Sequence, residues 1–228
     1  MSFESSSFSI EEKLANFSKY VRRQALARFL VQSELFKLQL DIKGSIIEGG
    51  VHHGGGVLTW AKLSAIFEPY NYHREVIGFD TFEGFPSVSD SDLSNRGVAS
   101  AGMFKPSGDI HREICEQIND FDENRFLGEI PKVRLVRGDA CEEIPRFLAD
   151  NPHVLVSLLY LDFDLYEPTQ VALETFLPRM PRGAVIGFDE VNNPDWPGET
   201  RALLDALGLR QYKLECLPFE PNISFIVL

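Results

Sequence analysis

Cysteine is scarce in this chain of 228 residues, which has only Cys115, Cys141 and Cys216. The three are far apart and odd in number, so they predict neither a disulfide framework nor the close spacing of a metal site. Free thiols of this kind are typical of a reducing compartment, and we therefore predict a cytoplasmic protein.

Long apolar runs and an excess of basic charge are also missing. No apolar stretch approaches the ~20 residues that a membrane-spanning helix needs, and the polar first residues do not resemble a signal peptide. The formal net charge is −12, with 34 Asp and Glu against 22 Lys and Arg. Because nucleic acids and anionic membranes attract basic patches, we predict that neither is a partner.

Apolar residues are plentiful, at 44% of the chain with 18 Phe, which is enough for a globular core. The length suits one domain with an extension. We predict an N-terminal helical extension over residues 1–43 and one globular domain over residues 44–228. The apolar spacing of the extension predicts two helices, with Arg22, Arg23 and Arg28 on a solvated face.

After residue 43, short apolar runs alternate with segments of helical spacing. This alternation predicts an α/β fold with a seven-stranded, mostly parallel sheet. A helix is expected over residues 110–118 and the third strand over residues 133–137. The last two strands, 212–216 and 223–228, are expected to form an antiparallel pair. Residues 87–107 are polar and show no periodicity, which is typical of a functional lid, and we predict a lid there.

Glycine and acidic residues mark the ends of the first two predicted strands. Glu48 precedes a glycine-dense turn, where the backbone can approach a ligand closely and the next helix offers free N–H groups. Asp80 ends the second strand, where a carboxylate can accept hydrogen bonds from both hydroxyls of a ribose. The pattern predicts a nucleotide-like ligand at this edge of the sheet.

Four carboxylates follow two later strands: Asp162 and Asp164 after the first, and Asp189 and Glu190 after the second. If the strands are parallel neighbours, their backbones lie ~4.8 Å apart and the four acids crowd one small volume. A divalent cation with oxygen ligands, Mg²⁺ or Ca²⁺, would compensate that charge. Alternatively, these acids only cap helices and form turns.

Five segments carry a resemblance to a known family: Ile47-Glu-Gly-Gly-Val-His-His-Gly-Gly, Gly78-Phe-Asp-Thr-Phe-Glu-Gly-Phe-Pro, Gly138-Asp, Leu161-Asp-Phe-Asp-Leu-Tyr-Glu-Pro-Thr and Gly187-Phe-Asp-Glu. They are similar to the macrocin O-methyltransferase family, the sugar O-methyltransferases of antibiotic biosynthesis. The resemblance implies a Rossmann-like class I methyltransferase fold, a seven-stranded sheet with one antiparallel strand flanked by helices.

The resemblance also implies S-adenosyl-L-methionine and Mg²⁺ as cofactors. Asp164 matches the general base, and Asp162 and Asp189 match metal ligands. Glu190 is the third predicted ligand and departs from the family, which usually has a second Asp at that position. The implied cofactor-binding residues are Glu48, Gly49, Gly50, Asp80, Thr81, Asp139, Ala140 and Asp162.

The predicted function is therefore Mg-dependent O-methylation of a deoxysugar, as a nucleotide sugar or a natural-product glycoside, by a homo-oligomer, expected to be a dimer. The metal would lower the pKa of the sugar hydroxyl, and Asp164 would take its proton. Two alternatives stay open: a catechol-type O-methyltransferase acting on an aromatic vicinal diol, and a non-catalytic nucleotide-binding module. The glycine spacing disfavours an NAD-dependent dehydrogenase.

Overall fold

The computed structural model of the protein describes residues 3–228. Seven strands form one sheet in the order β3-β2-β1-β4-β5-β7-β6, and only β7 runs against the rest. The predicted mostly parallel sheet with one antiparallel strand is therefore confirmed. The strands are β1 Ser45–Gly49, β2 Val76–Asp80, β3 Val133–Arg137, β4 Val156–Leu161, β5 Val185–Phe188, β6 Glu215–Leu217 and β7 Glu220–Val227.

Helices cover both faces of the sheet and give it two apolar cores. One core includes side chains of α2, α3 and α4, and the other includes side chains of α5, α6 and α7. Strands buried on both faces need continuous apolar runs, which explains the composition of β1, β4 and β5. The helices are α1 Ile10–Ala15, α2 Arg23–Leu38, α3 Gly55–Phe67, α4 Ile110–Glu123, α5 Ala140–Asp150, α6 Tyr166–Phe176 and α7 Gly198–Ala206.

The predicted N-terminal extension contains the two expected helices, α1 and α2, while residues 1 and 2 lie outside the described residues. Helix α2 contributes Val31, Leu35 and Phe36, none of which is exposed, to the same core as Trp60 of α3. The extension is thus packed against residues 44–228 over this helix. Between residues 3 and 228, no helix is both long and apolar enough to cross a membrane.

The strand order reverses between β1 and β4, and the carboxyl ends of β1, β2, β4 and β5 lie at the same edge. Such a switch point leaves a crevice between the diverging connections. The strands stay paired up to this edge, because Asp162 N–H donates to Gly49 C=O at 2.8 Å and Asp189 N–H donates to Leu161 C=O at 3.0 Å. Asp162 and Asp189 therefore follow directly paired residues, as the sequence suggested.

Candidate active site

A cavity of about 470 Å³ opens at the switch point. Its volume lies within the ~300–1,000 Å³ typical of small-molecule sites. Gly49 is the one predicted site residue outside the lining. A Cβ at Gly49 would meet the Phe163 ring at 2.2 Å. The predicted site residues that do line the cavity are Glu48, Gly50, Asp80, Thr81, Asp139, Ala140, Asp162, Asp164, Asp189 and Glu190.

The turn after β1 brings backbone close to the cavity because glycine occupies it. Gly50 has φ +85°, and a Cβ there would lie 1.9 Å from the carbonyl oxygen of Asp162. Glu48 is buried beneath Gly56 and accepts a hydrogen bond from Nε1 of Trp60 at 2.5 Å. Burial raises the pKa of Glu48 to about 8, although the Trp60 bond opposes the shift. Glu48 thus packs against the start of α3 at Gly56 and is bonded to α3 through Trp60.

Asp80 is fixed at the end of β2 by two backbone donors. Its Oδ2 accepts the His52 N–H at 2.8 Å, and its Oδ1 accepts the Phe82 N–H at 2.6 Å. An ionised carboxylate has about four acceptor positions, so each oxygen can still accept another hydrogen bond. The two backbone donors hold the carboxylate at the cavity wall, and each of its oxygens can accept a further hydrogen bond from a ligand.

Asp139 and Ala140 border the same cavity at the start of α5. Asp139 caps this helix, because its Oδ1 accepts the Cys141 N–H at 2.9 Å. Thr81 makes a local bond, with its hydroxyl donating to Gly84 C=O at 2.7 Å.

Asp162 and Asp189 share one cation, Arg28 of α2. Nη1 of Arg28 donates to both carboxylate oxygens of Asp189, at 2.7 and 3.0 Å, and Nη2 donates to Oδ2 of Asp162. Arg22 and Arg23 are exposed as predicted, whereas Arg28 is only partly exposed and its guanidinium pairs with the two carboxylates. Helical spacing locates a residue around the helix axis but not how far a long side chain reaches. Burial and the charge of Asp189 raise the pKa of Asp162 well above its usual value, and Arg28 opposes this shift.

Asp164 lies beside this pair in an unusual backbone conformation, with φ +61°. A non-glycine residue in the left-handed region costs free energy and marks a constrained loop. Burial raises the pKa of Asp164 to about 7, and Glu190 and Asp189 add to the shift. A carboxylate of that pKa is well matched to accepting a proton near neutral pH.

Glu199, near the start of α7, is a site residue that sequence reasoning missed. Its carboxylate accepts the backbone N–H of Asp164 at 3.3 Å and that of Glu190 at 3.0 Å, and it is wholly buried. Burial and Asp164 raise the pKa of Glu199 well above its usual value. Glu199 joins the loops after β4 and β5, but in the sequence it reads as an ordinary acid in the first turn of a helix.

The three predicted metal ligands were tested against this geometry. Mg²⁺ needs several oxygen ligands in near-octahedral positions. Over residues 3–228 no three or more His, Cys, Asp or Glu side chains are grouped so that they could hold a metal ion. Asp162 and Asp189 face Arg28 instead, and Glu190 accepts a hydrogen bond from the Asn193 amide. In this arrangement Asp162, Asp189 and Glu190 do not fit the predicted ion.

Three aromatic rings also line the cavity. Phe85 and Phe104 have ring centroids 5.3 Å apart, and Trp196 lies 6.0 Å from the first and 5.8 Å from the second. We call Phe85, Phe104 and Trp196 the aromatic wall. No periodicity in the sequence joins the three rings, because they come from three separate loop positions.

The predicted lid, residues 87–107, forms one border of the cavity through Ser87, Ser89 and Phe104. It is packed onto the rest of the protein, since Asp92 accepts the Tyr166 N–H at 2.5 Å and Arg96 pairs with Asp195 at 3.0 Å. Its position suits a lid, and its movement stays a prediction.

Residues 23–202 match the family described as Macrocin-O-methyltransferase (TylF). Two crystal structures of CalS11, a calicheamicin methyltransferase also described as a TDP-rhamnose 3'-O-methyltransferase, superpose with TM-scores of 0.94 and 0.83 at 37% and 33% identity. Each match covers 98% of this chain, and they cover 87% and 88% of the CalS11 chains.

Two curated relatives are more distant. The chain is 26% identical over 151 residues to the 8-demethyl-8-(2,3-dimethoxy-alpha-L-rhamnosyl)-tetracenomycin-C 4'-O-methyltransferase of Streptomyces olivaceus. It is 23% identical over 154 residues to the mycinamicin III 3''-O-methyltransferase of Micromonospora griseorubida. These matches cover 65% and 67% of this chain but only 53% and 57% of the two relatives, so the chain spans little more than half their length.

Proposed function

The chain belongs to the Macrocin-O-methyltransferase (TylF) family and has a class I methyltransferase fold, and we propose that it transfers a methyl group from S-adenosylmethionine to a hydroxyl of a deoxysugar. The sugar is carried as a nucleotide sugar or a natural-product glycoside. The observation that carries this proposal is one cavity that is lined both by Gly50 and Asp80 and by the half-buried carboxylate of Asp164.

The donor half of the cavity fits S-adenosylmethionine. Asp80 has acceptor positions left for ribose hydroxyls, and a side chain at Gly50 would fill the space beside the β1 turn. Ala140 and Asp139 lie at the end of β3, on the side of β2 away from β1, where we place the adenine. When bound, S-adenosylmethionine supplies an electrophilic methyl group on a sulfonium.

Asp164 is the proposed general base. Its carboxyl lies in the cavity, and its pKa of about 7 lets it accept the hydroxyl proton without being fully protonated at neutral pH. Glu199 holds the Asp164 backbone through the 3.3 Å hydrogen bond, so the base is positioned before the acceptor arrives. Alignment of this kind supplies a large share of the rate enhancement in group transfer.

The aromatic wall supports a sugar acceptor. The apolar C–H face of a deoxysugar packs well on aromatic rings, and the remaining hydroxyls can reach the polar side of the cavity. The relatives named above act, by their descriptions, on TDP-rhamnose, a rhamnosyl tetracenomycin and mycinamicin III. These chemistries motivate the choice of deoxysugar for this chain.

The magnesium dependence predicted from the sequence is not part of this proposal, since Asp162, Asp189 and Glu190 do not form a metal cluster over residues 3–228. The predicted dimer likewise stays a prediction, which size-exclusion chromatography with light scattering would test.

The proposal is tested with methyl-labelled S-adenosylmethionine and three acceptor panels: nucleotide-linked deoxysugars, deoxysugar glycosides and catechols. We expect label in a deoxysugar product and none in the catechols. Transfer to catechols alone would favour the catechol-type alternative. Binding of S-adenosylmethionine without transfer to any acceptor would favour the non-catalytic nucleotide-binding module.

A further inference from the structure

Arg28 is the one cation that reaches the carboxylates after both β4 and β5 among the described residues. It projects from the middle of α2, a helix fixed in the core by Val31 and Leu35, which are fully buried. Its position is therefore set by packed apolar contacts rather than by a mobile loop. Its side chain is 40% exposed and lines the cavity.

The guanidinium uses both of its terminal nitrogens on the two carboxylates. Nη1 lies 2.7 Å from Oδ1 and 3.0 Å from Oδ2 of Asp189, and Nη2 contacts Oδ2 of Asp162. Oδ1 of Asp189 also accepts the Tyr160 hydroxyl at 2.8 Å. Both oxygens of Asp189 and one of Asp162 are thus already engaged by protein donors.

Two carboxylates at adjacent strand ends repel each other unless a cation or a proton compensates them. A guanidinium stays charged in proteins, and its planar fork matches two carboxylates better than the point charge of lysine does. A divalent ion and Arg28 would need the same oxygens, and their charges would repel. The two cations are therefore alternatives at this position.

We propose that Arg28 is the resident cation of the Asp162–Asp189 pair and takes the place of a divalent metal ion there. Arg28 is a positioning residue: it holds the two carboxylates in place beside Asp164 by compensating their charge. One consequence is that the wild-type pair has little affinity for a divalent ion. A second consequence is that removal of the Arg28 guanidinium raises the affinity of the pair for a divalent ion.

The test titrates Mn²⁺ into the purified full chain and measures free Mn²⁺ by electron paramagnetic resonance. We compare the wild type with Arg28→Gln and with Arg23→Gln, a matched change at an exposed arginine of the same helix that makes no ion pair within residues 3–228. Arg28→Gln should bind Mn²⁺ at least about tenfold more tightly than the wild type, which corresponds to about 1.4 kcal/mol. Arg23→Gln should bind it as the wild type does. The double variant Arg28→Gln/Asp162→Asn should lose the gain, which locates the ion.

Equal Mn²⁺ affinity of the wild type and Arg28→Gln would overturn the inference. If Arg28→Gln does not fold, Arg28→Lys serves, because one ammonium cannot bridge both carboxylates and should give an intermediate affinity. The wild type alone provides a further test: turnover should be unchanged in EDTA, and turnover lost in EDTA and restored by Mg²⁺ would refute the proposal. The inference concerns a pair placed in the proposed active site, but Mn²⁺ binding needs neither methyl donor nor acceptor, so it is decided separately from the proposed function.

Discussion

Asp164 combines two features that are unfavourable in a purely structural acid. Its backbone is in the left-handed region, and its carboxyl lies close to the acidic side chains of Glu190 and Asp189. Both cost folding free energy, and the structure sustains them through the bond from the Asp164 N–H to Glu199. Costs of this kind concentrate at functional sites, where an unusual position serves the chemistry.

Replacing Asp164 with Asn tests its role as the base. The amide keeps the size and the backbone bond to Glu199 but cannot accept the proton, so turnover should fall by roughly 10²–10⁴-fold. Affinity for S-adenosylmethionine, measured by calorimetry, should stay within about twofold of the wild type, because the cradle at Gly50 and Asp80 is untouched. Wild-type turnover in this variant would remove Asp164 from the mechanism.

Glu48 makes stability depend on pH in a defined window. Its pKa is about 8 in the folded protein against a usual value of 4.5, so the folded state retains a proton that the unfolded state releases. The stability advantage of that proton is complete below about pH 4.5 and is lost as the pH rises through about 8. Glu48→Gln cannot ionise and should gain stability over the wild type as the pH rises, by a few kcal/mol at most.

Thermal unfolding followed by circular dichroism at pH 5 and pH 9 measures this difference. Glu129→Gln, at an exposed position, is the control and should change the melting temperature equally at both values. If Glu48→Gln also shifted it equally at pH 5 and pH 9, the raised pKa would be contradicted.

Individual acids of the site could be predicted because of where they stand in the chain. Asp80, Asp162 and Asp189 follow apolar runs, and parallel strands bring such positions to one edge. Arg28 and Glu199 could not be predicted in this way. Each lies on a helix and contacts an acid more than thirty residues away in the sequence. Its role therefore depends on where that helix packs in the fold.

At the scale of elements, the turn between β1 and α3 determines how closely two loops approach. Gly50→Ala would place a methyl group 1.9 Å from the carbonyl oxygen of Asp162 at a φ that alanine rarely adopts. We expect a loss of at least about 2 kcal/mol of stability and weaker S-adenosylmethionine binding, since the loop must move to relieve the clash.

Gly55→Ala is the matched control for this change. A Cβ at Gly55 meets no atom within 4 Å, and alanine is the better helix former at the start of α3. Its melting temperature should equal or exceed that of the wild type. Comparable losses in both variants would show that the whole turn, rather than the approach at Gly50, is sensitive.

Element boundaries followed the sequence closely where apolar runs were continuous and poorly where proline or polar residues interrupted them. Strand β3 has the predicted bounds of 133–137. Strand β7 begins at Glu220 rather than at residue 223, because Pro221 and a register shift near Leu217 lie within the hairpin. Helix α4 continues to Glu123, beyond the predicted end at residue 118, although its last turns are polar.

At the scale of the whole molecule, one hydrophobic core contains residues from both sides of the predicted domain boundary at residue 43. Leu35 of α2 and Trp60 of α3 belong to the same buried cluster, and the Arg28 bridge links α2 to β4 and β5. A shared core couples the stability of both parts. The sequence could not show this coupling, since amphipathic spacing predicts a helix but not its packing partner.

Equilibrium unfolding in urea tests whether residues 1–43 form a separate unit. Tryptophan fluorescence, to which buried Trp60 contributes, and far-ultraviolet circular dichroism should give coincident transitions, as expected for one cooperative domain.

Leu35→Ala should lower stability by roughly 2–5 kcal/mol in both signals, because it leaves a cavity in the shared core. Leu38→Ala is the control on the same helix: its side chain is 47% exposed, and it should cost less than about 0.5 kcal/mol. A Leu35→Ala shift seen by circular dichroism but not by fluorescence would mean that the extension unfolds independently, as the sequence-based boundary implies.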